Sequence, residues 1–233
     1  ASNGRPGPVL VDIPKDIQFQ TGTYIGPDTI KHKSYRPKLK ANIDKIDEAL
    51  QLIVNAEKPI FYTGGGVINS GNAAVQLLRE FVRLTGFPIT STLQGLGAFP
   101  GEDNQFVGML GMHGTYEANM AMNKCDLMIN VGARFDDRIT GKIDEFSPNS
   151  KKIHIDIDPS SINKVIPVDV GLNGDVAHVL EDAIKLWKSK VYRVNKLAVK
   201  DWWKQIEKWR KTNSLNFKED KETIKPQYAI QRL

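Results

Sequence analysis

The sequence has little of what disulfide-stabilised, zinc-binding or membrane-spanning proteins need. Cys125 is its only cysteine among 233 residues, which excludes an internal disulfide framework and a multi-cysteine zinc site. No apolar run approaches the ~18 residues of a transmembrane helix, and no secretory signal pattern is found. We therefore expect a protein of a reducing, cytoplasmic compartment of the bacterial type, with Cys125 as a buried and unreactive thiol.

The sequence also lacks a long cluster of residues with the same charge. Its net charge of +5 comes from lysines scattered among acidic residues, a pattern that is typical of a solvated surface. No aromatic-interleaved RNA motif occurs. We expect neither a nucleic-acid nor a membrane partner. Hydrophobic residues make up 40% of the chain and charged residues 25%, so most of it should fold around a real core.

Apolar segments alternate with amphipathic ones along the middle of the chain. Amphipathic segments with apolar residues three to four apart predict helices between the strands. This alternation predicts an α/β fold with a six-stranded, mostly parallel, Rossmann-like sheet and helices on both faces. The predicted strands, the last of them weaker, are residues 59–63, 87–92, 106–111, 126–131, 152–157 and 168–170.

Several local signals give the helices their ends. Asn42 is a predicted N-cap, Asn72 or Ser70 should cap the next helix, and Gly86 should end it. The tryptophan-rich segment 195–211 is predicted to be a packing helix rather than a cofactor site.

The two ends of the chain have features of a longer protein. Residues 7–13 predict a buried strand without partners before it, and residues 225–233 begin an amphipathic helix that stops. Residues 14–41 have no period and are rich in Pro, Lys, Thr and Gly, which indicates an interdomain linker.

Glycines and polar residues stand where the predicted strands end, and ligands of open parallel sheets bind there. The triplet of residues 64–66 is ambiguous. It lacks the third glycine of the dinucleotide fingerprint, where Asn69 stands, and the Lys-Ser/Thr pair of a P-loop. It therefore indicates either a ligand-approaching backbone or a tight strand-to-helix turn.

Charged residues after the fourth strand and at the end of the fifth suggest a nucleotide. Asp156 could hold ribose hydroxyls or cap a turn. Arg134 and Arg138 could neutralise a pyrophosphate or pair with Asp136 and Asp137. Spacing alone does not exclude Mg²⁺ beside those two acids, although no third ligand is evident. Met112 and His113 lie in a glycine-flanked loop, where a flat ring could rest against them.

Taken together, these segments resemble acetolactate synthase (acetohydroxyacid synthase), a family of thiamine-diphosphate enzymes. The resemblance covers essentially the whole chain. Residues 131–141 (VGARFDDRITG) and 110–115 (LGMHGT) are similar to central-domain signatures of the family. Residues 4–16 (GRPGPVLVDIPKD) resemble the end of its pyrimidine-binding domain, although this motif is shared more widely, and residues 224–227 (IKPQ) resemble the entry to its pyrophosphate-binding domain.

The resemblance implies a central domain of the DHS-like NAD/FAD-binding fold, with FAD as its cofactor. The full enzyme would condense two pyruvates, or pyruvate and 2-oxobutyrate, in branched-chain amino-acid biosynthesis. It would use thiamine diphosphate and Mg²⁺, form a homodimer or tetramer, and bind a small regulatory subunit. The implied domains are residues 1–16, the tail of the pyrimidine-binding domain; 17–41, a linker; 42–190, the FAD-binding domain; 191–223, a connecting helix and linker; and 224–233, the start of the pyrophosphate-binding domain.

Functional residues follow from the same resemblance. The substrate or inhibitor channel would be reached by Lys15, Met112, His113, Asp137 and Arg138. The family's activating glutamate and its Gly-Asp-Gly motif match nothing in this chain, so no residue here is expected to be catalytic or to bind metal, and the chain alone should be inactive. The implied cofactor-binding residues are Arg5, Gly64, Gly65, Gly66, Thr92, Leu93, Leu110, Gly111, Met112, His113, Gly132, Ala133, Arg134, Asp136, Arg138, Ile139, Asp156, Ile157, Asp175 and Val176.

Three other readings remain open at this point. The chain could be the central domain of a sister enzyme such as glyoxylate carboligase or pyruvate oxidase, against which the Arg-Phe-Asp-Asp-Arg segment argues. It could be a stand-alone flavin- or NAD-binding module such as electron-transfer flavoprotein. A sirtuin-like deacylase shares the sheet type but typically needs four zinc cysteines, and this chain has one cysteine.

Overall fold

The computed structural model describes residues 1, 4–26, 38–220 and 222–233. Its centre is a six-stranded sheet in the order β3-β2-β1-β4-β5-β6. Every strand pair is parallel, so the predicted α/β architecture is confirmed and the sheet is parallel throughout. The strands are β1 (Pro59–Thr63), β2 (Ile89–Ser91), β3 (Phe106–Met109), β4 (Leu127–Val131), β5 (Lys151–Asp156) and β6 (Val170–Asn173).

Helices cover both faces of this sheet. No helix in the described part of the chain is long and apolar enough to cross a membrane. The α-helices of the described residues are α1 (Lys15–Gln18), α2 (Ile43–Asn55), α3 (Gly65–Asn69), α4 (Asn72–Thr85), α5 (Tyr116–Lys124), α6 (Asp137–Thr140), α7 (Val176–Ser189), α8 (Lys196–Arg210) and α9 (Pro226–Arg232).

Alternation along the strands divides the core into two layers. Phe61 and Ile129 face the larger layer, which also contains the buried sides of α2, α4 and α7. Ile60 and Met128, one position earlier, face the smaller layer with α5 and α8. Each fully buried side chain of this size stabilises the fold by about 1.5–3 kcal/mol. The sheet is therefore fixed from both sides, and its carboxyl edge is a rigid base for loops.

The helix α8 confirms the packing role predicted from its tryptophans. Trp202 is buried, and its indole Nε1 donates to the carbonyl of Pro59 at 3.0 Å, at the start of β1. Trp203 Nε1 donates to the Gly86 carbonyl at 2.9 Å. The helix also packs against α5. These contacts attach α8 to the sheet and to the end of α4.

Two of the predicted helix ends are confirmed and one is wrong. Asn42 caps α2 by accepting from the Asp44 N–H at 2.7 Å, and Gly86 ends α4 in the left-handed region at φ 72°. The N-cap of α4 is Gly71, at φ 94°, without a side-chain cap. The Ser70 hydroxyl is directed to the start of α7 instead, where it donates to Asp175 at 2.9 Å and accepts from the Ala177 N–H at 3.1 Å.

Two strand predictions need correction. β6 begins at Val170 rather than at residue 168, because the Val168 N–H is bound by the Asn163 side chain at 2.8 Å and is not in the ladder. The segment 7–13 is neither a strand nor buried, with Leu10 93% exposed. A strand needs a neighbouring strand for its backbone groups, and no described residue supplies one. Of the predicted linker, residues 27–37 lie outside the described residues, and the short helix α1 (Lys15–Gln18) lies at its start.

Candidate functional site

The strand order places a crevice between the central strands. The chain runs outward from β1 through β2 to β3, and then returns to β4 on the other side of β1. Ligands of such sheets bind beyond the carboxyl ends of the strands where the order reverses. A cavity of about 580 Å³ lies there, within the ~300–1,000 Å³ usual for small-molecule sites.

Segments that follow all six strands line this cavity. At about 4.8 Å between neighbouring strands, six strands extend over roughly 24 Å, so the cavity suits an elongated ligand.

Nearly all of the residues proposed for the cofactor meet around this one cavity. The two exceptions are Gly64 and Gly111. The role of the others as flavin contacts stays a prediction, but their shared position is a feature of the fold. The predicted residues that line the cavity are Arg5, Gly65, Gly66, Thr92, Leu93, Leu110, Met112, His113, Gly132, Ala133, Arg134, Asp136, Arg138, Ile139, Asp156, Ile157, Asp175 and Val176.

Gly64 and Gly66 serve the contact between two rim segments. A Cβ at Gly64 would lie 2.6 Å from the Ala133 Cα, and one at Gly66 would lie 2.7 Å from the Gly132 Cα. The Gly66 N–H donates to the Gly132 carbonyl at 2.9 Å. The glycine triplet is thus a tight turn that lets the backbones after β1 and β4 touch. Gly65 lies between these contacts and lines the cavity.

Gly111 has an equivalent function on the β3 side. Its φ is 106°, and a Cβ there would lie 2.7 Å from Ile139 Cδ1 and 2.9 Å from the Arg138 carbonyl. The neighbouring Met112 N–H donates to the same carbonyl at 3.2 Å. The segment after β3 therefore rests on α6, which is why Gly111 lies behind the lining residues.

The charged segment after β4 is held by its own backbone. Asp136 caps α6 by accepting from the Arg138 N–H at 3.2 Å. This hydrogen bond is the main cause that lowers the pKa of Asp136. Arg134 approaches Asp136 at 3.8 Å, but its side chain is 61% exposed. Exposed pairs contribute little, so the Arg134 guanidinium remains available to an anion in the cavity.

Two carboxylates lie near the ends of β5 and β6. Asp156 is buried and accepts from the Asp158 N–H at 2.8 Å, so it caps a turn as well as lining the cavity. Asp175 caps α7 through the Ala177 N–H at 3.0 Å, and the Ser70 hydroxyl donates to it at 2.9 Å. Both of the alternatives considered for Asp156 therefore fit its position. No cluster of three or more potential metal-ligating residues occurs in the described ranges.

The five residues predicted for the channel separate into two groups. Met112, His113 and Arg138 line the cavity. Lys15 lies in the exposed helix α1, and Asp137 is the exposed first residue of α6. Neither of these two lines the cavity, so their predicted role toward a channel stays a prediction.

Sequence reasoning missed some of the lining. Ile68, Asn69 and Ser70 follow the glycine triplet by one helical turn, so periodicity could have identified them. Gln94 belongs to a short 3₁₀ turn after β2 that carried no motif. The missed lining residues are Gly4, Pro6, Ile68, Asn69, Ser70, Gln94 and Met109.

Comparison with known proteins identifies the family to which the chain belongs. Residues 46–183 match the family described as "Thiamine pyrophosphate enzyme, central domain". The chain is 43% identical to the acetolactate synthase large subunit of Buchnera aphidicola subsp. Acyrthosiphon pisum, over all of this chain and 40% of that protein.

Two further relatives have the same level of identity. The isozyme 3 large subunit of acetolactate synthase from Escherichia coli is 43% identical, over 41% of its length. An acetolactate synthase of Mycobacterium leprae is also 43% identical, over 37% of its length. The chain thus spans about two fifths of the curated relatives it matches. Since the matched range contains the whole six-stranded sheet, the chain belongs to the family of thiamine pyrophosphate enzyme central domains.

Proposed function

We propose that this chain is the FAD-binding central domain of an acetolactate synthase catalytic subunit. The observation that carries the proposal is the single cavity at the carboxyl edge of the sheet, to which glycine-containing segments, three arginines and three aspartates all contribute. Its relatives along the whole chain are acetolactate synthase large subunits, which favours this enzyme over glyoxylate carboligase and pyruvate oxidase.

The residues around the cavity fit the parts of FAD. Gly65 faces Gln94, and a Cβ at Gly65 would lie 3.2 Å from the Gln94 Cβ, so a side chain there would fill part of the cavity. Arg134 and Arg138 offer forked donors for a pyrophosphate. Asp156 offers a carboxylate for ribose hydroxyls. In the proposed acetolactate synthase FAD would do no net redox work, so the contribution of these residues would be to bind and orient it.

The reaction of the full-length protein is part of the same proposal. It would condense two pyruvates, or pyruvate and 2-oxobutyrate, to 2-acetohydroxy acids for valine, leucine and isoleucine biosynthesis. Thiamine diphosphate, anchored by Mg²⁺, supplies the carbanion chemistry when bound. The residues that hold it are proposed to lie outside this chain. Residues of this chain would orient the flavin, and Met112, His113 and Arg138 would reach toward the substrate.

The proposal of a small-subunit partner is supported by the names of the relatives, which are large subunits. We propose a homodimer or tetramer of catalytic subunits together with a small regulatory subunit, in the cytoplasm. The chain by itself should form no acetolactate from pyruvate when thiamine diphosphate, Mg²⁺ and FAD are added. Robust turnover by the purified chain would contradict that part of the proposal.

Titration of the purified chain with FAD tests the binding proposal. We expect saturable, equimolar binding, seen as a change in flavin absorbance and fluorescence, and weaker binding of FMN and NAD. Arg134→Ala and Arg138→Ala should each weaken FAD by about tenfold, because each removes one charge-assisted contact. Arg83→Ala is the matched control, since Arg83 pairs with Asp103 at 3.5 Å away from the cavity. Equal weakening by all three variants would contradict the assignment.

A further inference from the structure

A row of buried polar side chains crosses the middle of the sheet. Thr90, Tyr62, Asn130 and His154 occupy matched register positions on β2, β1, β4 and β5. Register partners point to the same face of a sheet, and all four side chains are fully buried. Strands of parallel sheets are usually continuous apolar runs. A polar row at this level of the sheet therefore needs a reason.

Each member of the row donates to a carbonyl close to the cavity rim. The Thr90 hydroxyl donates to the Gly108 carbonyl at 2.8 Å, one residue before Met109, which lines the cavity. The Tyr62 hydroxyl donates to the Arg134 carbonyl at 3.2 Å. The other two members converge on Ala133.

Asn130 and His154 hold the Ala133 peptide from two sides. The Asn130 amide donates to the Ala133 carbonyl at 2.8 Å and accepts from the Ala133 N–H at 3.0 Å. His154 Nε2 lies 3.0 Å from the same carbonyl. A carbonyl oxygen only accepts, so Nε2 is the protonated nitrogen. Among the described residues, Nδ1 has no hydrogen-bond partner. Within the described part of the chain, the one hydrogen bond of this buried ring is therefore made to the Ala133 carbonyl.

His154 also connects two sides of the cavity. Its Nε2 lies 3.6 Å from Oδ2 of Asp156, the last residue of β5. Its ring meets Phe135 edge to face at a centroid distance of 5.2 Å. On its other side, Phe135 lies 6.3 Å from the Tyr62 ring. Between the two lining residues Arg134 and Asp136, the chain thus turns Phe135 inward onto the row.

We infer that Tyr62, Asn130 and His154 are positioning residues for the flavin site, an inference that rests on the proposed FAD binding. They contact no lining side chain of the loop directly. They fix the backbone of residues 133–135, and through it the directions in which Arg134, Asp136 and Arg138 meet the ligand. An apolar row would fill the same core but would leave this backbone without its buried donors, because loop carbonyls need partners when water is excluded.

Variants of His154 separate positioning from general stability. His154→Leu keeps the site filled with an apolar side chain but loses the donor to Ala133, whereas His154→Gln can restore an N–H. Lys152→Met is the matched control. Lys152 lies on the same strand and the same face, is also buried, and donates to the Ser147 and Ser150 carbonyls at 3.1 and 2.9 Å. Neither serine lines the flavin cavity.

The experiment measures the FAD dissociation constant, the visible circular dichroism of bound flavin, and the melting temperature without FAD for each variant. We expect His154→Leu to weaken FAD by about tenfold, the loss of one buried hydrogen bond, and to change the flavin dichroism. His154→Gln should recover most of both. Lys152→Met should lower the melting temperature but leave both flavin readouts as in the unsubstituted chain.

Equal flavin binding by His154→Leu and the unsubstituted chain would overturn the inference, as would equal weakening by Lys152→Met. If His154→Leu does not fold, Tyr62→Phe decides, since it removes one hydroxyl and keeps the ring. It should change the flavin dichroism and weaken FAD a few-fold, and an unchanged signal would overturn the inference. If the unsubstituted chain binds no FAD, the proposed function itself is contradicted, and the inference with it.

Discussion

At the scale of single residues, glycines decide how closely the rim segments approach. Gly64 and Gly66 let the backbone after β1 touch the backbone after β4, and Gly111 lets the segment after β3 rest on α6. None of the three has room for a Cβ. Gly66 lines the cavity, whereas Gly64 and Gly111 do not. The shape of the cavity therefore depends also on residues that do not line it.

Gly64→Ala should be strongly destabilising because its new Cβ would overlap the backbone atoms of Ala133 and Gly132, both at 2.6 Å. Overpacking of this kind costs about 1–3 kcal/mol or more. Urea unfolding measures the loss. Gly101→Ala is the control, since a Cβ there meets nothing within 4 Å and its φ is ordinary, so it should stay within about 0.5 kcal/mol. Similar values for the two variants would contradict the close approach.

Cys125 should give a stability that falls at alkaline pH. Burial is the main cause that raises the pKa of its thiol from 9.0 to about 11, while a hydrogen bond with Ser147 acts in the opposite direction. Because the folded pKa is raised, this stabilisation is complete below pH 9 and is lost as the pH rises through about 11. It amounts to at most about 3 kcal/mol.

The measurement is the free energy of unfolding at several pH values for the unsubstituted chain and for Cys125→Ala. The free energy of unfolding of the unsubstituted chain minus that of Cys125→Ala should decrease between pH 8 and 11. Lys152 acts in the opposite direction in both chains, because its pKa is lowered mainly by burial and its deprotonation favours the folded chain as the pH rises. A difference that does not change with pH would show that the thiol is not buried as described.

The residue types at the site could be predicted from the sequence, but the structural role of each residue could not. Gly64 and Asp156 were marked because they lie at the carboxyl ends of strands. Whether Gly64 contacts a ligand or another backbone segment depends on where the Gly132 segment lies. Gly132 is 68 residues later in the sequence, so a local sequence pattern could not predict this contact. His154 and Asn130 appeared only as strand residues, because their polar role requires the register that aligns β4 with β5.

At the scale of elements, α8 is the piece whose role depends on side-chain hydrogen bonds to the sheet. Trp202→Phe should keep most of the ring packing but leave the Pro59 carbonyl without its indole donor, at a cost of about 1–3 kcal/mol. Leu197→Ala is the control on the same helix, with a side chain that is 69% exposed. Urea unfolding with equal effects for the two variants would contradict the anchoring role of α8.

Helices and strands with a clear hydrophobic pattern could be predicted from the sequence. Features that depend on contacts with distant segments could not. β1 was predicted with its observed ends because an apolar run stops at the glycines. The segment 7–13 has the composition of a strand but no adjacent strand among the described residues, so composition misled there. The cap of α4 was misplaced because Gly71 acts through its backbone conformation rather than through a side chain.

At the scale of the whole molecule, the strand order creates the site. The reversal at β1 and β4 brings together segments from residues 4–6 to residue 176 around one cavity. The alternation of strands and helices predicted a parallel sheet, and the family comparison agrees with it. The order of strands could not be read from alternation alone, because several windings share the same sequence of elements.

The central claim is that the cavity at the carboxyl edge of the sheet binds FAD, and its most direct test is a crystal structure of the chain with FAD. The account predicts the pyrophosphate near Gly65 and the two arginines Arg134 and Arg138, and a ribose hydroxyl within hydrogen-bond distance of Asp156. Flavin density on another face of the molecule, with this cavity unchanged, would contradict it.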